Sequence, residues 1–235
     1  MMVETQALET FLDKMPSAPL KLAPETIFCI DRPLTVEDFY ELVDEDTNVE
    51  LIEGVITTKS PVSYQHETLF SFLHTILTQY VEERNLGQVL GSRTVVRITN
   101  YTAREPDLLF VSKDRLSIIH KNDLVEAPDL VIEIVSPYDR RQEIITKQVQ
   151  YEQIGVREFW LIDQPKQQII IYDLDTGGRF VRRPLQGNII HSTTVDGFQI
   201  QIEWLWSEPG RFPSTLSIVN SLLNTGRVES EHKGL

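Results

Sequence analysis

Residues 127–137 read APDLVIEIVSP, and how that stretch is read decides the fold. Leu130, Val131, Ile132, Ile134 and Val135 put five apolar residues in six positions, bracketed by Pro128 and Pro137. Such a run suits a short strand buried on both faces rather than one that alternates with water. Glu133 interrupts it. A carboxylate so placed stays ionised only when a cation, a metal or several donors compensate it. The sequence therefore predicts a partner for Glu133.

Working outward, 235 residues with 41% hydrophobic and 24% charged composition predict one substantial core with peripheral additions. The apolar runs fall short of the roughly 20 residues that span a bilayer, and Glu4, Glu9 and Asp13 replace the basic start of a secretion signal. Cys29 is the one cysteine and the five histidines form no zinc pattern, so the expected compartment is a reducing cytoplasm. The net charge of −13 opposes a phosphate-backbone ligand on its face. However, twelve of the 35 acidic residues lie in the first fifty positions, against three basic ones. A carboxylate metal site also adds negative charge that bound cations neutralise, so a nucleic-acid partner stays open.

Pro16, Pro19, Pro24 and Pro33 make residues 1–34 an expected extended arm. Thr35 should cap a helix carrying Val36, Phe39, Tyr40 and Val43 on one face, and residues 49–59 should form a hairpin turning at Glu53–Gly54. Leu69, Phe72, Leu73, Ile76, Leu77, Tyr80 and Val81 predict a helix over 64–84 that stops at Gly87. Strands are expected in 88–99, 107–111, 158–163, 168–174, 179–185 and 198–206. A helix over 139–154 should be capped by Asp139 and ended by Gly155, and a short terminal helix should lie at 214–223. The expected fold class is α/β (α+β), a mixed sheet flanked by helices, with a domain over 35–205 and an extension over 206–235.

Pro106-Asp107 opens the strand next to the one carrying Glu133 in sequence order. Two carboxylates on neighbouring strands, with a backbone carbonyl such as that of Ile134, suffice for Mg²⁺, which favours oxygen ligands and keeps several waters. Ile144, Lys147, Tyr151 and Ile154 form the helical stripe that should face the sheet, which turns the Lys147 ammonium inward. There it can orient a water and stabilise charge on a phosphorus-bound oxygen, the requirements of metal-assisted phosphodiester hydrolysis. Each residue also has a plainer reading. Asp107 is a turn acid, Glu133 pairs with Arg97 or Arg104, and Lys147 snorkels to solvent. Asp129 lies about 13 Å along the strand from Glu133, too far to share an ion. His66, in the first turn of the 64–84 helix, could touch the active cleft or a phosphate but reads first as a surface histidine, and Tyr151 and Trp160 read as core residues.

The segments VELIEG (49–54), SPVSYQHE (60–67), REPDLLFV (104–111), PDLVIEIVSP (128–137) and KQVQYEQIGVREFWLID (147–163) together resemble the Uma family of restriction-endonuclease-like proteins, within the PD-(D/E)xK nuclease superfamily. The resemblance spans roughly residues 35–200. It implies a restriction-endonuclease-like core in which Asp107 and Glu133 bind Mg²⁺ or Mn²⁺. The superfamily pattern places a lysine two residues after the second acid, where this chain has Val135, and the role maps instead onto Lys147. Glu50 is a further candidate carboxylate, while Glu53 reads as a plain turn acid. The expected function is a DNA endonuclease, with a homodimer suited to cutting two strands and Arg93, Arg97, Arg104, Arg140 or Arg141 available for phosphates. The alternative is a catalytically silent interaction module on the same scaffold, its acidic N-terminal arm packed on a partner.

Overall fold

The computed structural model describes residues 27–28, 32–43, 47–59, 61–91, 93–136 and 139–232, with backbone alone for 27–28 and 225–232. Most of the expected arm, 1–26 and 29–31, lies outside the described residues. Within them no helix is long and apolar enough to cross a membrane.

Helix α1 (Val36–Leu42) starts where a capping box forms: Thr35 accepts from the Asp38 N–H and Asp38 accepts from that of Thr35. Strands β1 (Ile27–Phe28), β2 (Val49–Ile52) and β3 (Val55–Thr58) follow an antiparallel pattern. The β2–β3 turn has positive φ at both Glu53 (51°) and Gly54 (78°), as a tight hairpin requires. A side chain at Gly54 would stand 2.5 Å from Pro33 Cβ.

Helix α2 (Tyr64–Arg84) is capped by Ser63 and buries the apolar stripe that its periodicity predicts. It ends on Asn85 in the left-handed conformation, two residues before the expected Gly87 stop. Asn tolerates that conformation because its short amide bonds locally. Gly87 instead opens β4 (Gly87–Gly91).

The run at 88–99, one sequence of strand-forming residues, is divided between two sheets. Strand β4 pairs with β7 (Leu108–Ser112), whereas β5 (Val95–Thr99) pairs with β6 (Thr102–Arg104) and β8 (Asp123–Leu124). The first six-stranded sheet runs β1-β3-β2-β6-β5-β8. The second contains β9 (Leu130–Ile134), β10 (Glu158–Asp163), β11 (Gln168–Leu174) and β12 (Phe180–Arg183), in the order β12-β11-β10-β9-β7-β4. Both sheets are mixed. In the second, β9 and β10 are parallel and connected through α3 (Arg141–Ile154), and every other pair is antiparallel.

Asp139 does not cap α3. Its carboxylate accepts instead from the Ser136 N–H at 2.7 Å, closing the preceding turn, and Arg140 takes the cap position. Gly155, at φ 91°, ends the helix as expected. Of the expected strand at 198–206 only β14 (Gln199–Gln201) pairs, with β13 (Ile189–His191), and Ile202–Trp206 winds into a 3₁₀ helix. The terminal helix α4 runs Thr215–His232, well past the expected 223.

All five residues of β9 are buried. Leu130, Ile132 and Ile134 pack into the cluster that α2 and α4 cover, with Leu69, Phe72 and Trp160. Val131 belongs to the opposite face, under Tyr151 of α3 and beside Phe159. Alternation along the strand therefore sends Glu133 to the α3 face.

Candidate active site

The antiparallel register of β7 and β9 sets Leu108 opposite Ile132. Continued by one residue, it sets Asp107 across from Glu133, the placement expected from a carboxylate at the mouth of one strand and another within its neighbour. Asp107 Oδ2 accepts the Ile134 N–H at 2.7 Å. Within a strand the N–H and C=O of one residue share an edge, so the Ile134 carbonyl also lies along the edge facing Asp107.

Glu133 has the partner its position demands. Lys147 Nζ lies 2.9 Å from Oε2, and the Tyr151 hydroxyl donates to Oε1 at 2.6 Å. Both come from α3, on the inward stripe that the spacing predicts. The plainer readings of these residues do not describe the structure: Lys147 reaches inward rather than to bulk water, and neither Arg97 nor Arg104 meets Glu133. Tyr151 is fully buried, as a core residue should be, but its hydroxyl reaches the site.

Burial pushes the Glu133 carboxyl up, the charge of Asp107 adds to that, and Lys147 and Tyr151 oppose it without cancelling it. Asp107 moves the other way. Burial raises it, but the His66 hydrogen bond, the charges of His66 and Lys147 and the Ile134 N–H hold it below the usual carboxylate range. Burial opposes the Lys147 ammonium, yet Glu133, Glu50 and Asp107 together raise it well above an ordinary lysine.

His66 is a correction. Instead of a surface histidine it is 6% exposed, in the first turn of α2, with Nε2 3.3 Å from Asp107 Oδ2. Burial alone would depress the ring, but the hydrogen bond and charge of Asp107 raise its pKa. The two residues are 41 positions apart, so no local pattern announces the contact.

Glu50, on β2, is 3% exposed and points at cations rather than at the carboxylate pair. Its Oε2 takes Arg104 Nη1 at 2.8 Å, its Oε1 takes the Glu105 N–H at 3.0 Å, and Lys59 Nζ lies at 3.8 Å. Among the described residues no three Asp, Glu, His or Cys side chains are grouped to hold one metal ion, so Glu50 does not complete a three-acid cage. Its charge nonetheless reaches Lys147.

The expected phosphate-binding arginines separate. Arg104 is 1% exposed and bound to Glu50 and Gln150, and Arg97 is paired with Glu37 and Asp123. Arg104 is thereby withdrawn from solvent, whereas Arg97 keeps 24% side-chain exposure away from the carboxylate pair. Arg93, Arg140 and Arg141 are exposed. Glu53 is the exposed turn residue expected. Asp129 is buried in a separate cluster, taking the Ser112 N–H, Arg115 and Arg157. Asp139 and Glu143, by contrast, line a small cavity beside Glu133 and Lys147.

The Uma2 family model, described as "Putative restriction endonuclease", matches residues 36–203, which include Glu50, His66, Asp107, Glu133, Lys147 and Tyr151. The chain belongs to the Uma2 family. Among solved structures this Uma2 chain is similar to "a putative nuclease belonging to DUF820" from Anabaena variabilis, with a TM-score of 0.62 and 18% identity over 74% of this chain and 98% of that one. At that identity the likeness is one of fold. No curated protein matches the chain.

The donor set of the Uma2 site fits a hard divalent cation. Among the described residues it offers two carboxylates and a backbone carbonyl, all oxygen, without the thiolate or clustered imidazole ligands that would favour zinc. Both Asp107 contacts fall on Oδ2, and among the described residues no hydrogen bond falls on Oδ1.

Proposed function

We propose that this Uma2 protein is an endonuclease that hydrolyses phosphodiester bonds in DNA with Mg²⁺ or Mn²⁺ held by Asp107, Glu133 and the Ile134 carbonyl. The observation that carries the reading is Lys147 Nζ at 2.9 Å from Glu133 Oε2, on a carboxylate set across from Asp107. When bound, the cation would polarise a phosphoryl oxygen and acidify a coordinated water.

The chain's own groups have separate tasks. Lys147, with its pKa raised, stays an ammonium at neutral pH, so it serves as a hydrogen-bond donor and positive charge rather than as a base. From there it orients the attacking water and stabilises charge developing on the phosphoryl oxygens. Tyr151 fixes the free rotation of Glu133 from the side away from Lys147, each taking one carboxylate oxygen. Glu50 holds Lys147 from a second direction by charge. Exposed Arg140 and Arg141, at the start of the helix that carries Lys147, are placed to meet phosphates, with Arg93 as a further contact.

The nuclease unit in this reading is residues 35–205, with both ends as additions. It acts in the cytoplasm as a homodimer that addresses two strands.

Supercoiled plasmid incubated with the protein and Mn²⁺ or Mg²⁺, alongside Glu133→Gln and Lys147→Ala, tests it. The parent should nick the plasmid and both variants should lose about 100-fold or more in rate. Cleavage unchanged in both variants would reject the site, and no cleavage by the parent with either ion would reject the activity.

A further inference from the structure

We infer that His66 is a positioning residue for the cation site, holding the Asp107 carboxylate in the orientation that presents Oδ1 to the ion. The inference rests on the reading of Asp107 as a cation ligand and extends it to a residue on a different element, α2.

The ring is anchored from behind. Ser63 Oγ accepts the His66 backbone N–H at 3.1 Å, which locks the first turn of α2, and Leu69, Phe72 and Leu73 bury the following turns against the sheet. Nε2 then stands 3.3 Å from Asp107 Oδ2. An ionised carboxylate only accepts, so Nε2 carries the hydrogen. The Ile134 N–H reaches the same oxygen from β9 at 2.7 Å. Two donors from two elements, converging on one oxygen, fix the rotation of the carboxylate about its Cβ–Cγ bond.

A histidine that only filled space would be a poor choice here. Its Nδ1 is buried with no hydrogen-bond partner among the described residues. Leaving a buried polar atom unpaired costs free energy, and a phenylalanine or leucine would fill the same volume without that cost. What the imidazole supplies and they cannot is the Nε2–H contact to Asp107. Hydrogen bonds of this kind orient the groups that ligate metals, and their loss weakens binding of the ion.

The test is Mn²⁺ affinity, measured by calorimetric titration on the full chain for the parent, Asp107→Asn, His66→Phe and His66→Gln. The glutamine amide places an N–H close to where Nε2 stood. His66→Phe should weaken Mn²⁺ binding about 10- to 100-fold, and His66→Gln should recover most of it. His66→Leu replaces the phenylalanine variant if circular dichroism shows that variant unfolded. Parental affinity in a folded His66→Phe or His66→Leu, while Asp107→Asn has lost binding, would overturn the role of His66 alone. Failure of His66→Gln to improve on His66→Phe would do the same. Parental affinity in Asp107→Asn, or no Mn²⁺ binding by the parent, would remove the cation site itself and the inference with it.

Discussion

Lys147 and Glu133 are joined across the packing surface between α3 and β9, Nζ to Oε2 at 2.9 Å, and the lysine side chain keeps 18% exposure against 7% for the glutamate. The ammonium sits at the border of the interior, with its charge directed at a carboxylate just inside it. Its charge also favours the ionised form of both Glu133 and Asp107.

Replacing Lys147 by Met keeps the stem and removes the charge, which leaves the buried carboxylates without their cation. Uncompensated buried charges cost about 3–5 kcal/mol, and the partial exposure of Lys147 puts this case near the lower end. The loss should be larger at pH 8 than at pH 5, because Glu133 can relieve it by taking up a proton. Urea denaturation of Lys147→Met at the two pH values measures it. A variant as stable as the parent at pH 8 would mean that the pair is not formed in solution.

The raised pKa of Glu133 links the metal to pH. An acid whose folded-state pKa is raised binds its proton more tightly folded than unfolded, so the stability that the proton contributes is lost as pH rises above the ordinary glutamate value of about 4.3. The stability difference between the metal-free parent and Glu133→Gln should therefore move in favour of the variant over that range. A divalent cation competes with the same proton, and Asp107, with its pKa lowered, stays ionised throughout. Mn²⁺ should raise the melting temperature of the parent more at pH 7.5 than at pH 5, and chelation should reverse the rise. Equal shifts at both pH values would place the cation away from Glu133.

Much of this arrangement is legible in the chain because its parts are local. The apolar run around Glu133 marks a strand buried on both faces, and the stripe through Lys147 and Tyr151 marks the inward face of α3. What the chain hides is which distant pieces meet. His66 and Asp107 are 41 residues apart and Glu50 and Arg104 are 54 apart, and neither pairing leaves a periodic trace. The same limit conceals the second sheet, because β4 and β5 follow one another within a single stretch of strand-forming sequence, with Arg93 at φ 77° between them. Arg104 resembles any phosphate-binding arginine in sequence. Only its burial beside Glu50 and Gln150 shows it to be a strut between β6, β2 and α3.

Glu50 should dominate acid sensitivity on the first sheet. Burial raises its carboxyl, but Lys147, Lys59, Arg104 and the Glu105 N–H bring it down to about 2. A depressed folded-state pKa contributes stability that is present above the unfolded value of about 4.3 and lost as pH falls toward 2. The contribution at pH 7 is on the order of 3 kcal/mol. Glu50→Gln should be destabilised by about that much at pH 7, with the gap to the parent narrowing between pH 4 and pH 2. Denaturant titrations across that series decide it, and a gap that stays constant with pH would show that Glu50 is not held ionised by its neighbours.

Tyr151 offers the cleanest separation of packing from polarity. Its ring is fully buried and lies 5.5 Å from that of Phe159, while its hydroxyl donates to Glu133 Oε1 at 2.6 Å. Tyr151→Phe retains the ring contacts and deletes the donor. A hydrogen bond to a charged group contributes about 1.5–3 kcal/mol, so the metal-free variant should lose stability in that range. The hydroxyl also lowers the Glu133 pKa, so its removal should raise that pKa further and shift the pH at which Mn²⁺ begins to stabilise the protein upward. Denaturation without metal and Mn²⁺-induced melting shifts across pH give two independent readouts. A stability loss without a shift in the Mn²⁺ profile would confine Tyr151 to the core, and a shift with little stability loss would assign its hydroxyl chiefly to tuning Glu133.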